Sequence, residues 1–364
     1  MKLNDILQHL EVVFPLSLQE SYDNAGLATG DPEQEISGIL LCLDVTEEVL
    51  EEALAKGLNL VISHHPVIFQ GLKRIIGSGP TERIILKAIR NGQALYSMHT
   101  NADNLYTGLN AILVNKLGLV NSSILDPMVG RLRKLVTFVP VAHADAVREA
   151  LFDAGAGHIG SYDMCSFNTD GSGTFRATES SQPFIGSIDE FHREPEVRIE
   201  TIFPDFLQER LVKSMLTAHP YEEVAYDIYP LNNAWSQAGA GMVGELESAM
   251  NEAEFLTWVK KAMNAQMLRH SNPTGRLIRR VAVCSGSGSF LIRKALSGKA
   301  DAFVTADLKY HQFFEADGRM LLVDAGHFET EQFATEIFYD VLIKKFPNFA
   351  IHFSESSSNP VNYF

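Results

Sequence analysis

Residues 36–65, ISGILLCLDVTEEVLEEALAKGLNLVISHH, hold the pattern that decides the fold. An apolar run ends at Asp44, a pattern of alternating apolar and charged residues fills 45–57, and a second apolar run ends at His64 and His65. Short apolar runs that stop at polar residues are typical of buried strands, and the segment between them has the spacing of a helix. The stretch therefore predicts a βα unit that leads into a second, parallel strand.

The same pattern continues through the rest of the first third and returns in the last third. TERIILKAIRNG at 81–92 predicts a helix, and ALYSMH at 94–99 predicts a strand. In the last third the strand-like runs, separated by helical or turn patterns, are RRVAVCSGSG (279–288), DAFVTAD (301–307) and GRMLLVDAG (318–326). We therefore predict one α/β domain, with a mostly parallel sheet and flanking helices, formed by residues 1–127 and 241–364.

Residues 128–240 follow a different order. Strand, helix, hairpin, strand, helix and strand patterns succeed one another, with the hairpin placed at 161–178 and its turn at Asp-Gly-Ser-Gly. Two βαβ units in this succession are typical of a ferredoxin-like split unit. We therefore predict that an α+β ferredoxin-like domain is inserted into the α/β domain.

Composition indicates a soluble cytoplasmic protein. A chain of 364 residues, 46% of them hydrophobic, is long enough to form two buried cores. Its amphipathic start, MKLNDILQHLEVVF, lacks the basic and apolar segments of a signal peptide, and no run approaches the roughly 18 apolar residues of a membrane span. The three cysteines, Cys42, Cys165 and Cys284, lie in apolar runs without metal-type spacing, which fits buried thiols in a reducing compartment.

The formal net charge of -15 limits the possible partners. It repels a phosphate backbone, so double-stranded nucleic acid is not an expected partner. A site that holds metal ions would be positive locally and could still bind a small phosphorylated or nucleotide ligand.

Polar residues follow several predicted strands, where ligands bind in open α/β sheets. They are His64, His65, His99, Asp103, Asp307, His311, Asp324, His327 and Glu331. If a helix begins near His327, then His327 and Glu331 lie on one face of its first turn and are able to approach one metal ion. Imidazole and carboxylate suit zinc, iron or manganese, and a carboxylate has two oxygens with which to bridge two ions. The sequence therefore predicts a dinuclear centre with ligands His64, His65, Asp103, His327 and Glu331.

Each of these residues also has a simpler interpretation. His99 alone could merely form hydrogen bonds at its strand end, or it could orient a metal ligand. Asp324 could satisfy backbone groups at a turn, Asp307 could cap the following helix, and Glu331 could be a solvated charge. The metal interpretation is favoured because all the candidates fall at the same end of the predicted sheet.

Two further motifs leave alternatives open. The segment CSGSG at 284–288 precedes a helix and could hold a phosphate on its backbone N–H groups. It lacks a nucleotide-binding fingerprint, which favours a tight turn instead. The cluster HPYEE at 219–223 could line a pocket, or it could end a helix with exposed acids.

Together these motifs resemble the GTP cyclohydrolase 1 type 2 homologue family, also called NIF-three-like. The matching segments are HHP (64–66), HTNAD (99–103), HPYEEVAYDIYPL (219–231), TADLKYH (305–311) and GHFETE (326–331). The resemblance spans the chain, and GAGHIGSYDMCSF (155–167) with GTFR (173–176) resembles the longer members, which carry an insert of the PII and CutA type.

The resemblance implies more than the residues themselves do. It implies two divalent metal ions per chain (zinc, manganese, iron, cobalt or nickel), with Glu331 in the bridging place and the other four ligands as above. It also implies a toroidal homo-oligomer, a hexamer. Many members have glycine where this chain has Ala306, which concerns only the local turn.

Two functions follow as expectations. The first is a metal-dependent hydrolase acting on a nucleotide or another small phosphorylated or heterocyclic substrate, with His99, Asp307 or His311 orienting ligands or transferring protons. The alternative is a non-enzymatic metal-binding or regulatory ring protein, whose inserted domain senses a ligand.

Overall fold

The chain folds into two units in a computed structural model that describes residues 1–364. The first unit consists of Met1–Pro127 and Gln237–Phe364, and the second of Met128–Ser236. In chain order the elements are α1 (Leu3–Val13), β1 (Gly26–Thr29), β2 (Ile39–Cys42), α2 (Glu47–Ala55), β3 (Leu60–Ser63), α3 (Pro80–Arg90), β4 (Ala94–Ser97), α4 (Thr100–Asp103), α5 (Leu109–Lys116), β5 (Leu119–Val129), β6 (Leu132–Pro140), α6 (Ala144–Asp153), β7 (Phe167–Arg176), β8 (Phe191–Pro204), α7 (Gln208–Ala218), β9 (Tyr226–Leu231), β10 (Ala234–Met250), α8 (Glu252–Ala262), β11 (Arg269–His270), β12 (Ile278–Ser287), α9 (Ile292–Ser297), β13 (Ala302–Ala306), β14 (Leu321–Asp324), α10 (His327–Glu331), α11 (Ala334–Lys345) and β15 (Ile351–Phe353).

The first unit contains two sheets. The first has the order β1-β4-β3-β2-β15, and all its strands pair in parallel except β1, which runs antiparallel to β4. The second has the order β11-β14-β13-β12-β10-β5, with a parallel centre of β12, β13 and β14 and antiparallel neighbours β10 and β11. The fold is therefore α/β with mostly parallel pairing, as predicted, but the strands form two sheets. The first sheet comes mostly from the first third of the chain and the second mostly from the last third, while β15 and β5 each join the other sheet.

The central strands are apolar because both of their faces are covered. Every residue of β2, β3, β4, β13 and β14 is buried. One large core joins side chains of both sheets, among them Ile62 and Val304, to those of α1, α8 and α11. The opposite face of the first sheet packs on α2 and α3, and that of the second sheet on α9. Continuous apolar strands between helical layers are the expected result of parallel pairing.

The second unit has the order β6-α6-β7-β8-α7-β9 along the chain. Its four strands form an antiparallel sheet in the order β7-β8-β6-β9, and α6 and α7 pack on it through a separate core. This is the βαββαβ arrangement of a ferredoxin-like unit. The similarity of this insert to the PII and CutA type stays a prediction.

Three local expectations differ from the structure. The predicted hairpin at 161–178 is wrong, because β7 runs straight through Asp-Gly-Ser-Gly and pairs with β8 residue by residue. The second unit ends at Ser236 and not at 240, and the boundary falls inside β10, a single long strand that runs from Ala234 to Met250. The helix expected from His327 onward is divided into α10 and α11.

The remaining expectations concern helices and thiols. No helix combines the length and the apolar character that crossing a bilayer requires. Cys42 and Cys284 are buried, and burial raises the pKa of both thiols, whereas Cys165 is only partly buried.

Candidate metal centre

The ends of several elements in the first unit meet in one cluster of imidazoles and carboxylates. His64 and His65 follow β3, His99 follows β4, and Asp103 ends α4. The structure brings them together with His327 and Glu331 of α10 in three overlapping groups, in each of which the potential ligand atoms lie within 4.8 Å of one another. The groups are His64–His65–His99, His65–His327–Glu331 and His64–Asp103–Glu331.

Glu331 is the carboxylate that two of these groups share. Its Oε2 lies 2.8 Å from Nε2 of His65 and 2.9 Å from Nε2 of His327, whereas Oε1 lies 3.8 Å from Nε2 of His64. Only 3% of the residue is exposed. Burial by itself raises the pKa of this carboxyl, but the hydrogen bonds from His327 and His65 outweigh it and hold the pKa well below its usual value. A buried, ionised carboxylate therefore lies at the centre of the cluster.

His64 has a ring nitrogen that no protein group satisfies. Its Nδ1 lies 2.9 Å from the carbonyl oxygen of Met98 and must donate to it, which leaves Nε2 without a proton in the neutral ring. That Nε2 is buried and has no hydrogen-bond partner, although carboxylate oxygens of Asp103 and Glu331 each lie 3.8 Å away. Two atoms that bind one zinc-like ion at about 2.0–2.2 Å lie about 3–4 Å apart. The arrangement therefore fits a cation shared by His64, Asp103 and Glu331.

Carboxylates behind the cluster fix the other imidazole rings. Nδ1 of His65 lies 2.7 Å from Asp44, and Nδ1 of His327 lies 2.8 Å from Asp307. Such outer carboxylates hold the ring of a metal-binding histidine in place and direct its other nitrogen toward the ion. Asp307, which could have been a helix cap, is thus a partner of His327.

The same arrangement recurs at His99. Its Nδ1 lies 2.8 Å from Asp23. Burial raises the pKa of Asp23, but hydrogen bonds from His99 and Thr100 lower it to about 2. His99 therefore stands against an ionised carboxylate and joins His64 and His65 in the cluster.

Sequence reasoning missed Asp44 and Asp23. Asp44 lies just past the end of β2, so the rule that located the histidines at strand ends applies to it equally. Asp23 lies between α1 and β1 in an irregular segment, and no pattern in the sequence points to it.

Two of the candidates lie outside the cluster. Asp324 accepts hydrogen bonds from the backbone N–H groups of Leu308, just after β13, and Gly326, just after β14, so it satisfies both turns. It also lies 3.3 Å from Arg269. His311 is exposed on a 3-10 segment, with its ring centroid 5.1 Å from that of Tyr310. The structure does not bring His311 to the cluster because this segment turns away after β13.

The motif CSGSG forms the end of β12 beside the cluster. Gly286 has a φ of +55°, and a Cβ built on it would lie 2.1 Å from Oε1 of Glu331. Its N–H donates to Thr330 in the same helix as Glu331. Glycine is thus required for both the backbone conformation and the close approach of the carboxylate.

Two cavities reach the cluster from different sides. One, of about 310 Å³, is lined by His65, His99, Asp103, His327 and Glu331 and by aromatic side chains, which are Tyr22, Phe69 and Phe290. The other, of about 440 Å³, shares His65 and His327 and is lined by their partners Asp44 and Asp307. Both volumes lie within the range of small-molecule sites, so the cluster is accessible to a small ligand.

Metal binding is expected to release protons. Burial lowers the pKa of His65 and of His327, but their bonds to Glu331, Asp44 and Asp307 raise it to about 10 and about 9. Both rings are therefore protonated at neutral pH without metal, and each must lose a proton to bind an ion. Zinc titration by calorimetry in buffers of different ionisation enthalpy should report release of about two protons per chain, with affinity rising between about pH 7 and pH 9. Metal uptake without proton release would contradict this arrangement.

Asp44→Asn is expected to weaken metal binding by about 10–100-fold, the usual effect of losing an outer carboxylate. The asparagine keeps an acceptor near His65 but removes the charge that makes its ring a stronger ligand. Competition with a chromophoric chelator would measure the change. Asp340→Asn, at an exposed position of α11, is the matched control and should bind metal as the wild type does. Equal affinity of the two variants would show that Asp44 does not act on the centre.

Comparisons with known proteins extend over the whole chain. A family model described as Duf34/NIF3 (NGG1p interacting factor 3) matches residues 1–360. A protein of Bacillus subtilis named GTP cyclohydrolase 1 type 2 homolog is 35% identical over 98% of this chain and 97% of its own. One of the same name from Halalkalibacterium halodurans is 41% identical over 88% and 87% of the two chains.

Solved structures give the same result. A Bacillus cereus protein related to NIF3 superposes with a TM-score of 0.88 at 38% identity, covering 100% of this chain and 99% of its own. A Staphylococcus aureus protein superposes with a TM-score of 0.78 at 29% identity and the same coverage. The fold and both units are therefore common to these proteins.

Proposed function

The chain belongs to the Duf34/NIF3 family, and we propose that it is a divalent-metal-dependent hydrolase that acts on a small nucleotide or another phosphorylated or heterocyclic substrate. The observation that carries the proposal concerns Nε2 of His64. This buried nitrogen has no hydrogen-bond partner and faces two carboxylates, in a cluster beside a cavity of about 310 Å³. An apolar group would satisfy neither the nitrogen nor the carboxylates, whereas a divalent cation satisfies all of them.

The proposed centre holds two ions. His64 and Asp103 would hold one, His65 and His327 would hold the other, and Glu331 would bridge them. The separate directions of the two oxygens of Glu331 support this assignment, since Oε1 faces His64 and Oε2 faces His65 and His327. Mixed nitrogen and oxygen donors suit zinc, manganese, iron, cobalt or nickel. Ions bound there would polarise a substrate oxygen and bring the pKa of a bound water toward neutrality.

The residues around the centre would bind and orient the substrate. His99 donates through Nδ1 to Asp23, so its Nε2 is the nitrogen that is able to accept a proton in the neutral ring. Tyr22, Phe69 and Phe290 present rings that suit a planar heterocycle. Burial raises the pKa of Tyr22, so its hydroxyl stays protonated and able to donate. The small cavity indicates a substrate of modest size.

A substrate screen tests this function. Metal-replete wild-type protein should hydrolyse at least one member of a panel of nucleotides, phosphoesters and purine-type heterocycles, and chelation should abolish the activity until metal is restored. His99→Gln, which removes the proposed proton acceptor but not a proposed metal ligand, should lower kcat while metal content is retained. No turnover by protein that carries about two ions per chain would contradict the hydrolase proposal and leave the metal centre standing.

A further inference from the structure

The second unit contains a cavity of its own, of about 620 Å³, between β7 and the segment that follows α7. Its walls include Phe138 of β6, the strand Thr169–Arg176, Phe184, Glu196 and Tyr221. The volume lies in the range of small-molecule sites, and most of the wall is apolar. This cavity is independent of the metal centre, because every residue that lines it belongs to the second unit.

Glu196 is a buried carboxylate in this wall that has no cationic partner. Only 7% of the residue is exposed, and its one hydrogen bond comes from the hydroxyl of Tyr221, 2.8 Å from Oε1. Other acids of β8 are paired: Glu194 with His192, and Glu200 with Lys134 and Arg198. Buried charges in proteins are usually paired, so an unpaired carboxylate that lines a cavity indicates a ligand with a complementary charge.

The HPYEE motif holds Tyr221 against this carboxylate. His219 lies 3.0 Å from the carbonyl oxygen of Phe138 through Nε2 and accepts the N–H of Tyr221 at Nδ1, an arrangement that requires the neutral ring. Burial lowers the pKa of His219, which agrees with that state. Burial and the bond to Glu196 raise the pKa of Tyr221, so its hydroxyl remains a donor. Tyr221 satisfies only Oε1, and Oε2 is left without a hydrogen bond.

Gly173, which was part of the turn signal for the predicted hairpin, makes room for Glu196. At Gly173 a Cβ would lie 2.1 Å from Oε2 of Glu196 and 2.6 Å from Oε1. The backbone there is extended strand, so glycine is not needed for its conformation. The structure therefore keeps a strand position free of any side chain at the place where the carboxylate lies.

Two further aromatic rings pack near Tyr221, the residue that donates to the carboxylate. The ring of Tyr221 lies 6.0 Å from that of Phe175 and 6.4 Å from that of Phe184, measured between centroids. Aromatic faces near a carboxylate are the usual surroundings of bound ammonium groups. Of the two arginines in the wall, Arg198 is paired with Glu200, 2.9 Å away, and Arg176 is exposed, where solvent and salt screen its charge.

We propose that this cavity binds a small organic cation, whose ammonium or amidinium group pairs with Glu196 while its apolar body lies against Phe175, Phe184 and Tyr221. A metal ion fits less well, because one buried carboxylate and a phenol among aromatic rings do not provide a coordination shell. The other acids of the wall, Asp170, Glu222 and Glu223, are exposed. An anion would be repelled by Glu196. The pair would be buried and charge-assisted, which gives such a ligand its specificity over neutral analogues.

The test uses benzamidine and phenethylamine as cationic probes and benzamide as a neutral probe of the same shape as benzamidine. Calorimetry and ligand-observed NMR on the full chain should show that the cations bind and that benzamide binds at least about tenfold more weakly. Glu196→Gln keeps an acceptor for Tyr221 and should weaken benzamidine by about tenfold or more. The control, Glu194→Gln, lies two residues earlier on β8 outside the cavity wall and should change binding by less than about twofold.

A second variant distinguishes loss of binding from loss of the fold. Gly173→Ala should leave the βαββαβ fold intact, since its backbone is extended, but should displace the carboxylate and abolish benzamidine binding. Circular dichroism and the melting temperature report the fold of each variant. The proposal is overturned if neither cation binds at millimolar concentration, if benzamide binds as tightly as benzamidine, or if Glu194→Gln weakens binding as much as Glu196→Gln.

Discussion

Glu331→Gln is expected to remove the metal ions from the first unit and to leave its fold intact. The substitution preserves the shape of the side chain but takes away the charge shared by two of the three ligand groups. The dissociation constant for zinc or manganese should rise by more than about 100-fold, since loss of an outer partner alone costs about 10–100-fold. Elemental analysis of gently purified protein should find about two ions per chain in the wild type and nearly none in the variant.

The fold should tolerate this change because the neighbouring rings keep other carboxylate partners. His65 is still bonded to Asp44 and His327 to Asp307, so no buried cation is left unpaired when Glu331 loses its charge. Glu329→Gln is the matched control, because Glu329 is 7% exposed, lies in the same short helix and faces Tyr363 at 3.4 Å. Metal content that is equal in the two variants would place the ions elsewhere.

Sequence periodicity predicted the layers of this fold better than it predicted the sheets. Apolar runs such as ILLC and LVIS identify buried strands because both faces of a parallel strand must be covered. Periodicity does not tell which strands share hydrogen bonds, so the two sheets of the first unit were expected as one. β15 shows the reason: its three residues join the first sheet from the far end of the chain through pairing with β2.

The misplaced hairpin shows a different limit. Asp-Gly-Ser-Gly consists of residues that are common in turns, because glycine tolerates backbone conformations that other residues avoid. In β7 the same residues are extended, and Gly173 is needed for the space it leaves to Glu196 on the neighbouring strand. A close approach between distant residues has no local signal, so the sequence alone could not distinguish the two uses of glycine.

The candidate site was more predictable because it follows a rule of topology. Ligand residues follow the carboxyl ends of parallel strands, so the strand ends identified the candidates one by one. The pattern did not show that β3 and β14 belong to different sheets, although His65 after β3 and Glu331 after β14 come within 2.8 Å. His311 shows where the rule stops, since a residue four positions past Asp307 already belongs to a segment that turns away. Asp23 shows the opposite case, a residue that belongs to the site without following a strand. It lies in an irregular segment, yet it contacts His99.

Gly286→Ala is expected to lower both the stability of the protein and its affinity for metal. The alanine must adopt a φ near +55°, which costs about 1–2 kcal/mol of unfolding free energy. Its Cβ would also lie 2.1 Å from Oε1 of Glu331 and 3.3 Å from Cε1 of His327, so the carboxylate must move. Because Oε1 is the oxygen that faces His64, the affinity for metal should fall by at least about tenfold.

Gly118→Ala separates these two effects. Gly118 has a φ of +64°, and a Cβ there would meet nothing within 4 Å, so it has the same backbone strain without a contact to the site. Chemical denaturation of the metal-free proteins should show a similar loss of stability, about 1–2 kcal/mol, in both variants. Only Gly286→Ala should lose metal affinity in a chelator competition, because only there does the added methyl group displace Glu331. If both variants bind metal as the wild type does, the position of Glu331 beside β12 does not control the centre, and the ligand geometry must be set by α10 alone.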